Sequence, residues 1–250
     1  MCRHLAYLGP QVSVRDLLTE GEHSLLQQSF QPRDMRRGGV INADGYGAAW
    51  WDKSALHRYR SVTPIWADAS GCETLSAVGG NAILAAVRSA TIGMPVVETA
   101  CAPFIYGPWA FSHNGFVAGW PDSLAEPART LPVTDLMTLE APTDSAVLWA
   151  LLRHRCAKDA STGEWAAAVA ELTNRTRESA PGSRLNFLLS NGSQIIATTC
   201  VHSLSVLLTD DVVLVASEPT TDDKGWRHVK DGQLIVAEPG RLRITPLNRQ

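Results

Sequence analysis

No stretch of this 250-residue chain approaches the ~20 consecutive apolar residues that a bilayer-spanning helix needs. The opening Met1-Cys2-Arg3-His4-Leu5 also lacks the basic-then-apolar order of a secretion signal. A cytoplasmic protein with no membrane partner is expected. An excess of one charge is missing too: 22 Lys and Arg stand against 25 Asp and Glu, a net −3 at pH 7. A phosphate backbone is gripped by clustered cations, so nucleic acid is not expected as a partner. Cysteine is scarce. Its five copies, Cys2, Cys72, Cys101, Cys156 and Cys200, are odd in number and scattered, unlike the framework of a small disulfide-bonded domain. Reduced thiols follow, each either core filler or reagent. The chain holds no G-x-x-x-x-G-K-[ST] phosphate loop, no G-x-S-x-G elbow, no H-E-x-x-H and no C-x-x-C. Cys2 and His4 alone cannot complete a tetrahedral zinc site, and neither a metal nor an organic cofactor is expected.

What is present is the composition of an ordinary globular protein, 45% hydrophobic and 19% charged. No linker, repeat or low-complexity tract divides it, so one domain over 2–250 is expected. Short apolar runs between turn signals predict strands near 5–9, 45–51, 56–59 and 82–87, with short helices after Ser13 and over 22–29. Between Gly93 and Pro108 prolines and glycines predict a long loop. Helical spacing resumes behind Thr143-Asp144 and again from about Thr162 to Glu178. From Ser183 onward the pattern is that of strands, with Asn191-Gly192 predicting a tight hairpin in which both residues take positive φ. Sheets at both ends around a helical block predict an α+β domain of two sheets enclosed by helices.

Candidate chemistry begins at the second residue. If Met1 is removed, Cys2 carries a thiol and a free α-amine together, a nucleophile with its own base. Such an amine titrates near ~7.7 to 8.0 and a free thiol near ~8.5, so they can exchange a proton at neutral pH. The run Ile83 to Gly93 reads as a strand delivering Arg88 and Thr91 to its end. Arg88 offers a planar fork for a carboxylate, or else a structural ion pair. His113-Asn114-Gly115 follows a short strand; the pair is either a turn or, through the Asn amide and the Gly N–H, two donors for an oxyanion. Asp144 is a helix-start residue unless a ligand uses it.

Taken together, Cys2, the segment Arg88-Ser89-Ala90-Thr91-Ile92-Gly93, His113-Asn114-Gly115 and Thr143-Asp144 resemble the class II glutamine amidotransferase-like hydrolases of the N-terminal nucleophile superfamily. Asn42-Ala43-Asp44-Gly45-Tyr46-Gly47 and Ala216-Ser217-Glu218-Pro219 are further landmarks of that resemblance. It implies a four-layer αββα sandwich. It also implies catalysis by Cys2 with its α-amine, an oxyanion hole of Asn114 and Gly115, Arg88 and Thr91 on a glutamyl α-carboxylate, and Asp144 on the α-ammonium. Ile92 stands where many glutaminase members carry His, a departure that weakens the inference to free glutamine as substrate. The opening residues, the run 85–95, Leu185-Asn186-Phe187 and the surroundings of Trp226 resemble the branch of amidohydrolases that act in ergothioneine biosynthesis on γ-glutamyl-hercynylcysteine sulfoxide. The expected partner is therefore a small γ-glutamyl substrate, hydrolysed by a stand-alone enzyme. A glutaminase subunit supplying ammonia and a non-catalytic module of the same fold are the alternatives. A trimethylammonium group is best held by aromatic faces, and among eight Trp residues Trp109 and Trp120 flank the Asn-Gly pair, either as substrate contacts or as core.

Overall fold

Strand β1 (Arg3–Ser13) is buried on both faces along its first six residues, which requires covering layers above and below it. The computed structural model, which describes residues 2–35, 41–53 and 55–247, supplies them as two antiparallel sheets. The first sheet joins β1 to β2 (Tyr46–Asp52), β3 (Ala55–Ser61), β4 (Gly79–Val87), β9 (Ser205–Leu208), β10 (Val213–Ala216) and β11 (Arg227–His228), in the order β11-β9-β10-β1-β4-β2-β3. The second holds β5 (Phe104–Tyr106), β6 (Trp109–Phe116), β7 (Arg184–Ser190), β8 (Ile195–Thr199), β12 (Gln233–Glu238) and β13 (Arg241–Pro246), in the order β13-β12-β8-β7-β6-β5.

The two-residue period of the strands sorts their side chains into layers. Ala6 and Leu8 of β1, Ala82 and Leu84 of β4, Ala110 of β6 and Leu188 of β7 fill the space between the sheets. On the outer face of the first sheet, Leu5, Tyr7, Ile83 and Ala85 pack with Val14 and Leu18 of α1 (Val14–Thr19), Leu25 of α2 (Leu25–Phe30) and Leu75 of α3 (Ala69–Ser76). On the outer face of the second, Trp109, Phe111 and Phe187 pack with Trp149 of α6 (Asp144–Arg155) and with Trp165 and Val169 of α7 (Thr162–Ser179). Two short helices, α4 (Asp122–Ala128) and α5 (Val133–Met137), lie ahead of α6. The expected αββα sandwich is what forms, and no helix among the described residues is long and apolar enough to cross a membrane.

Some local expectations differ. In the hairpin between β7 and β8 only Gly192 takes a positive φ, +85°; the Asn191 side chain instead accepts from the amides of Ser193 and Gln194 at 3.0 and 2.8 Å. An Asx turn thus replaces the two-residue turn expected there. Helices α3, α4 and α5 were not foreseen. The first contains Gly71 and two serines, poor helix formers, and is held by tertiary contacts: Asp68 caps it through the Gly71 amide at 2.9 Å, and the hydroxyls of Tyr46 and Tyr59 both donate to the Asp68 carboxylate at 3.1 Å. The loop expected between Gly93 and Pro108 is present, with a 3-10 turn at Glu98–Ala100 and β5 inside it.

Candidate active site

The register of β1 against β4 pairs Arg3 with Val87, and so sets Cys2 beside Arg88 at one end of the first sheet. Cys2 is half-buried, and its thiol reaches the Ser89 carbonyl at 3.7 Å. Counting by twos from Ala6 and from Leu84, which face the second sheet, both Cys2 and Arg88 fall on that inner face. Asn114 has the same parity as Ala110 on β6 and meets them from the opposite sheet. The link between the sheets is explicit: the Asn114 Nδ2 donates to Ser217 Oγ at 3.4 Å, and the His4 amide donates to the same Oγ at 3.0 Å. Cys2 and Asn114 therefore come from different sheets and lie at the same end of the interface between them.

Arg88 is only 9% exposed, and its Nη1 is buried with no hydrogen-bond partner among the described residues. An unpaired buried donor carries the full desolvation cost of the group, and an anionic ligand would remove that cost. The backbone around it is held from Asp44: the Arg88 amide donates to the Gly45 carbonyl at 2.8 Å, the Asp44 amide to the Arg88 carbonyl at 3.0 Å, and the Ala90 amide to the Asp44 carboxylate at 2.7 Å. Gly45 is obligatory here, since a Cβ would stand 2.4 Å from the Ser61 carbonyl oxygen and 2.6 Å from the Cys101 sulfur at φ +108°.

A pocket of about 390 Å³ opens next to this end, lined by Thr91, Ile92 and Met94 on one side and by Phe116, Trp120 and Asp144 on the other. Thr143 supplies the helix cap, its hydroxyl accepting from the Ala146 amide at 3.2 Å. The cap does not need Asp144, whose carboxylate instead takes the Val117 amide at 2.8 Å and the Ser145 amide at 2.7 Å. Asp144 is thus a buried, hydrogen-bonded anion in the pocket wall with lone pairs to spare. Ile92 is fully exposed on the facing wall.

Trp120 is half-buried and lines this pocket. Trp109 does not, and the expectation that it touches substrate is corrected: it is 1% exposed and stacks on Trp165 with ring centroids 4.8 Å apart. Trp109 is five residues from Asn114 on a strand, an odd separation, so it must point to the opposite face, toward α7.

Gly115 is forced by its neighbour. A Cβ there would lie 1.8 Å from the Arg184 carbonyl oxygen on β7. That same oxygen accepts from His113 Nε2 at 2.8 Å, which leaves His113 Nδ1 to accept from the Ser145 hydroxyl at 3.0 Å. His113 thereby locks the strand carrying Asn114 and Gly115 to α6. Behind it lie two more buried imidazoles, His4, on the Ser112 hydroxyl at 3.2 Å, and His202. Burial, with the nearby positive groups, lowers the pKa of each to about 3, and burial also lowers that of His113. An unfolded His titrates near ~6.5, so between about pH 3 and 6.5 the unfolded chain binds protons that the folded chain refuses. Stability is therefore full above ~6.5 and falls as pH drops, by roughly 2 kcal/mol per histidine at pH 5. Urea unfolding at pH 7.5 and pH 5 should show this loss; equal unfolding free energies would mean the imidazoles are protonated in place.

The remaining thiols divide from Cys2. Burial pushes Cys72, Cys156 and Cys200 up and Cys101 to about 11, so these behave as small apolar side chains. Loss of Met1, which would free the Cys2 α-amine, concerns a residue outside the described ones. Among the described residues Glu22, His23 and Asp222 could gather on a cation, but Asp222 already faces Arg33 at 3.1 Å. Two contributions escaped sequence reasoning, those of Asp44 and Ser217, because their partners, the Ala90 amide, the His4 amide and the Asn114 side chain, are distant in the chain.

This geometry agrees with what the chain resembles. Residues 16–210 match the family model of glutamine amidotransferases class-II. The chain is 42% identical over 248 residues to the gamma-glutamyl-hercynylcysteine sulfoxide hydrolase of Mycolicibacterium smegmatis, covering 99% of this chain and 100% of that one. It is 37% identical to the protein of the same name from Mycobacterium tuberculosis, over 100% of this chain and 98% of the relative. Among solved structures, a glutamine aminotransferase class-II domain protein from Silicibacter pomeroyi superposes with a TM-score of 0.67 at 22% identity, covering 99% of this chain and 100% of that one.

Proposed function

The chain belongs to the class-II glutamine amidotransferases, and from that premise we propose that it is a γ-glutamyl amidohydrolase that cleaves γ-glutamyl-hercynylcysteine sulfoxide, a step of ergothioneine biosynthesis. The observation that carries the substrate is the 42% identity to the mycobacterial hydrolase, which runs end to end. The pocket is compatible with it. Arg88, with its unpartnered Nη1, takes the glutamyl α-carboxylate beside Thr91, and the Asp144 carboxylate takes the α-ammonium.

The Cys2 sulfur attacks the γ-carbonyl carbon, and its proton passes through a water to the Cys2 α-amine. Asn114 Nδ2 and the Gly115 amide hold the oxyanion as the carbonyl becomes tetrahedral. On collapse the C–N bond breaks and the α-ammonium proton goes to the leaving nitrogen. A water then attacks the glutamyl thioester, the amine takes its proton, and glutamate leaves with the thiol restored. Purified protein incubated with γ-glutamyl-hercynylcysteine sulfoxide should release glutamate and hercynylcysteine sulfoxide in equal amounts by mass spectrometry. Release of ammonia from glutamine in preference to this reaction would overturn the reading.

We assign Trp120, which lines the pocket with Thr91 and Asp144, to the leaving side, where its indole would face the trimethylammonium. A desolvated cation-π contact with the trimethylammonium is worth about 2 kcal/mol, so Trp120→Leu should raise KM for this substrate roughly ten- to thirtyfold. A small γ-glutamyl amide without that group should be hydrolysed unchanged by the same variant. An equal loss on both substrates would make the indole a structural wall.

A further inference from the structure

We propose that Ser217 is a positioning residue that sets which end of the Asn114 amide faces the reacting carbonyl, an inference that rests on Asn114 being the oxyanion donor. Ser217 follows β10, whose register pairs Ala216 with Leu5, and it is wholly buried. Its backbone amide donates to the His4 carbonyl at 2.9 Å, and its hydroxyl both accepts from the His4 amide at 3.0 Å and lies 3.3 Å from the His4 carbonyl. A serine hydroxyl has a single proton. With that proton given to the His4 carbonyl, the Ser217 oxygen faces the Asn114 Nδ2 as an acceptor.

The consequence falls on the amide. Asn114 presents Nδ2 to Ser217 at 3.4 Å, and its Oδ1 is buried and without a hydrogen-bond partner among the described residues. Nδ2 has two hydrogens. One is held by Ser217, and the second remains for an oxyanion. With the amide reversed, Oδ1 would meet an oxygen that has no proton to offer it. The same hydroxyl grips His4, two residues after Cys2, so one atom ties the nucleophile's strand to the oxyanion donor's strand across the two sheets. Nothing in this arrangement touches substrate; it acts through Asn114.

The test compares Ser217→Ala, Ser217→Cys, Asn114→Ala and the double variant Asn114→Ala/Ser217→Ala on γ-glutamyl-hercynylcysteine sulfoxide. Removing an oxyanion donor costs about a hundred- to a thousandfold in kcat, and Asn114→Ala should fall in that range. Ser217→Ala should lose about ten- to a hundredfold in kcat with KM within about twofold, because the freed amide samples the wrong orientation. Ser217→Cys keeps nearly the same volume with a poor acceptor and should behave alike, so the comparison survives if the alanine variant folds badly. In the Asn114→Ala background, Ser217→Ala should cost no more than about a further twofold, since the group it orients is gone. Losses that multiply, a loss expressed in KM, or wild-type kcat in Ser217→Ala beside an impaired Asn114→Ala would overturn the positioning role and leave the oxyanion hole standing. Wild-type activity in Asn114→Ala would overturn both.

Discussion

Cys2→Ala is expected to lose turnover by at least about three decades while keeping its unfolding midpoint, because the proposed mechanism runs through the Cys2 thiol as nucleophile. Cys2 is half-buried at the end of β1 and its thiol makes a long contact to the Ser89 carbonyl, so its removal leaves no cavity in the core. Cys72→Ala serves as the control and should leave kcat within about twofold, since burial holds its thiol up and it packs under the helices of the first sheet. Protein that retains Met1 should be equally inactive, because the base of the mechanism is the α-amine that Met1 would block. Intact-mass measurement on the active fraction checks this directly. Appreciable turnover in Cys2→Ala, or in protein carrying Met1, would remove the N-terminal residue from the chemistry.

Arg88→Lys should cost heavily at the glutamyl end. A buried charge pair that loses its partner costs ~2 to 5 kcal/mol, which is about thirtyfold or more in kcat/KM. Lysine keeps the charge but not the fork, and its single ammonium cannot reproduce the guanidinium's planar, two-point approach to a carboxylate. The backbone frame should survive, because the bonds between Arg88 and Asp44-Gly45 are made by main-chain groups. Asp144→Asn is a less clean experiment: its carboxylate already receives the Val117 and Ser145 amides, so loop disturbance would be mixed with lost substrate contact. If Arg88→Lys hydrolyses substrate at near-wild-type kcat/KM, the unpartnered nitrogen is not where the glutamyl carboxylate sits.

Position by position, the sequence by itself determined more of the site than its separate motifs suggest. Strand parity alone puts Cys2, Arg88 and Asn114 on the faces that oppose each other, since each is an even step from a small apolar residue of the inter-sheet core. The same count, applied to Trp109, would have withdrawn it from the substrate pocket before any coordinates existed. The helix at Asp144 was legible from Thr143 and the apolar spacing behind it, because capping is a local interaction. What only the tertiary structure decided are the contacts made between a side chain and a group far away in the chain. Asp44 holds the Ala90 amide, Asp144 the Val117 amide, and Ser217 joins His4 to Asn114. Each of these residues has an ordinary local role available, as a turn former or a helix-start residue, so its neighbours mark the position without showing which distant group it holds. Their function appears only when sheet register brings distant amides within about 3 Å, and register is set by the burial of whole strand faces rather than by any single residue.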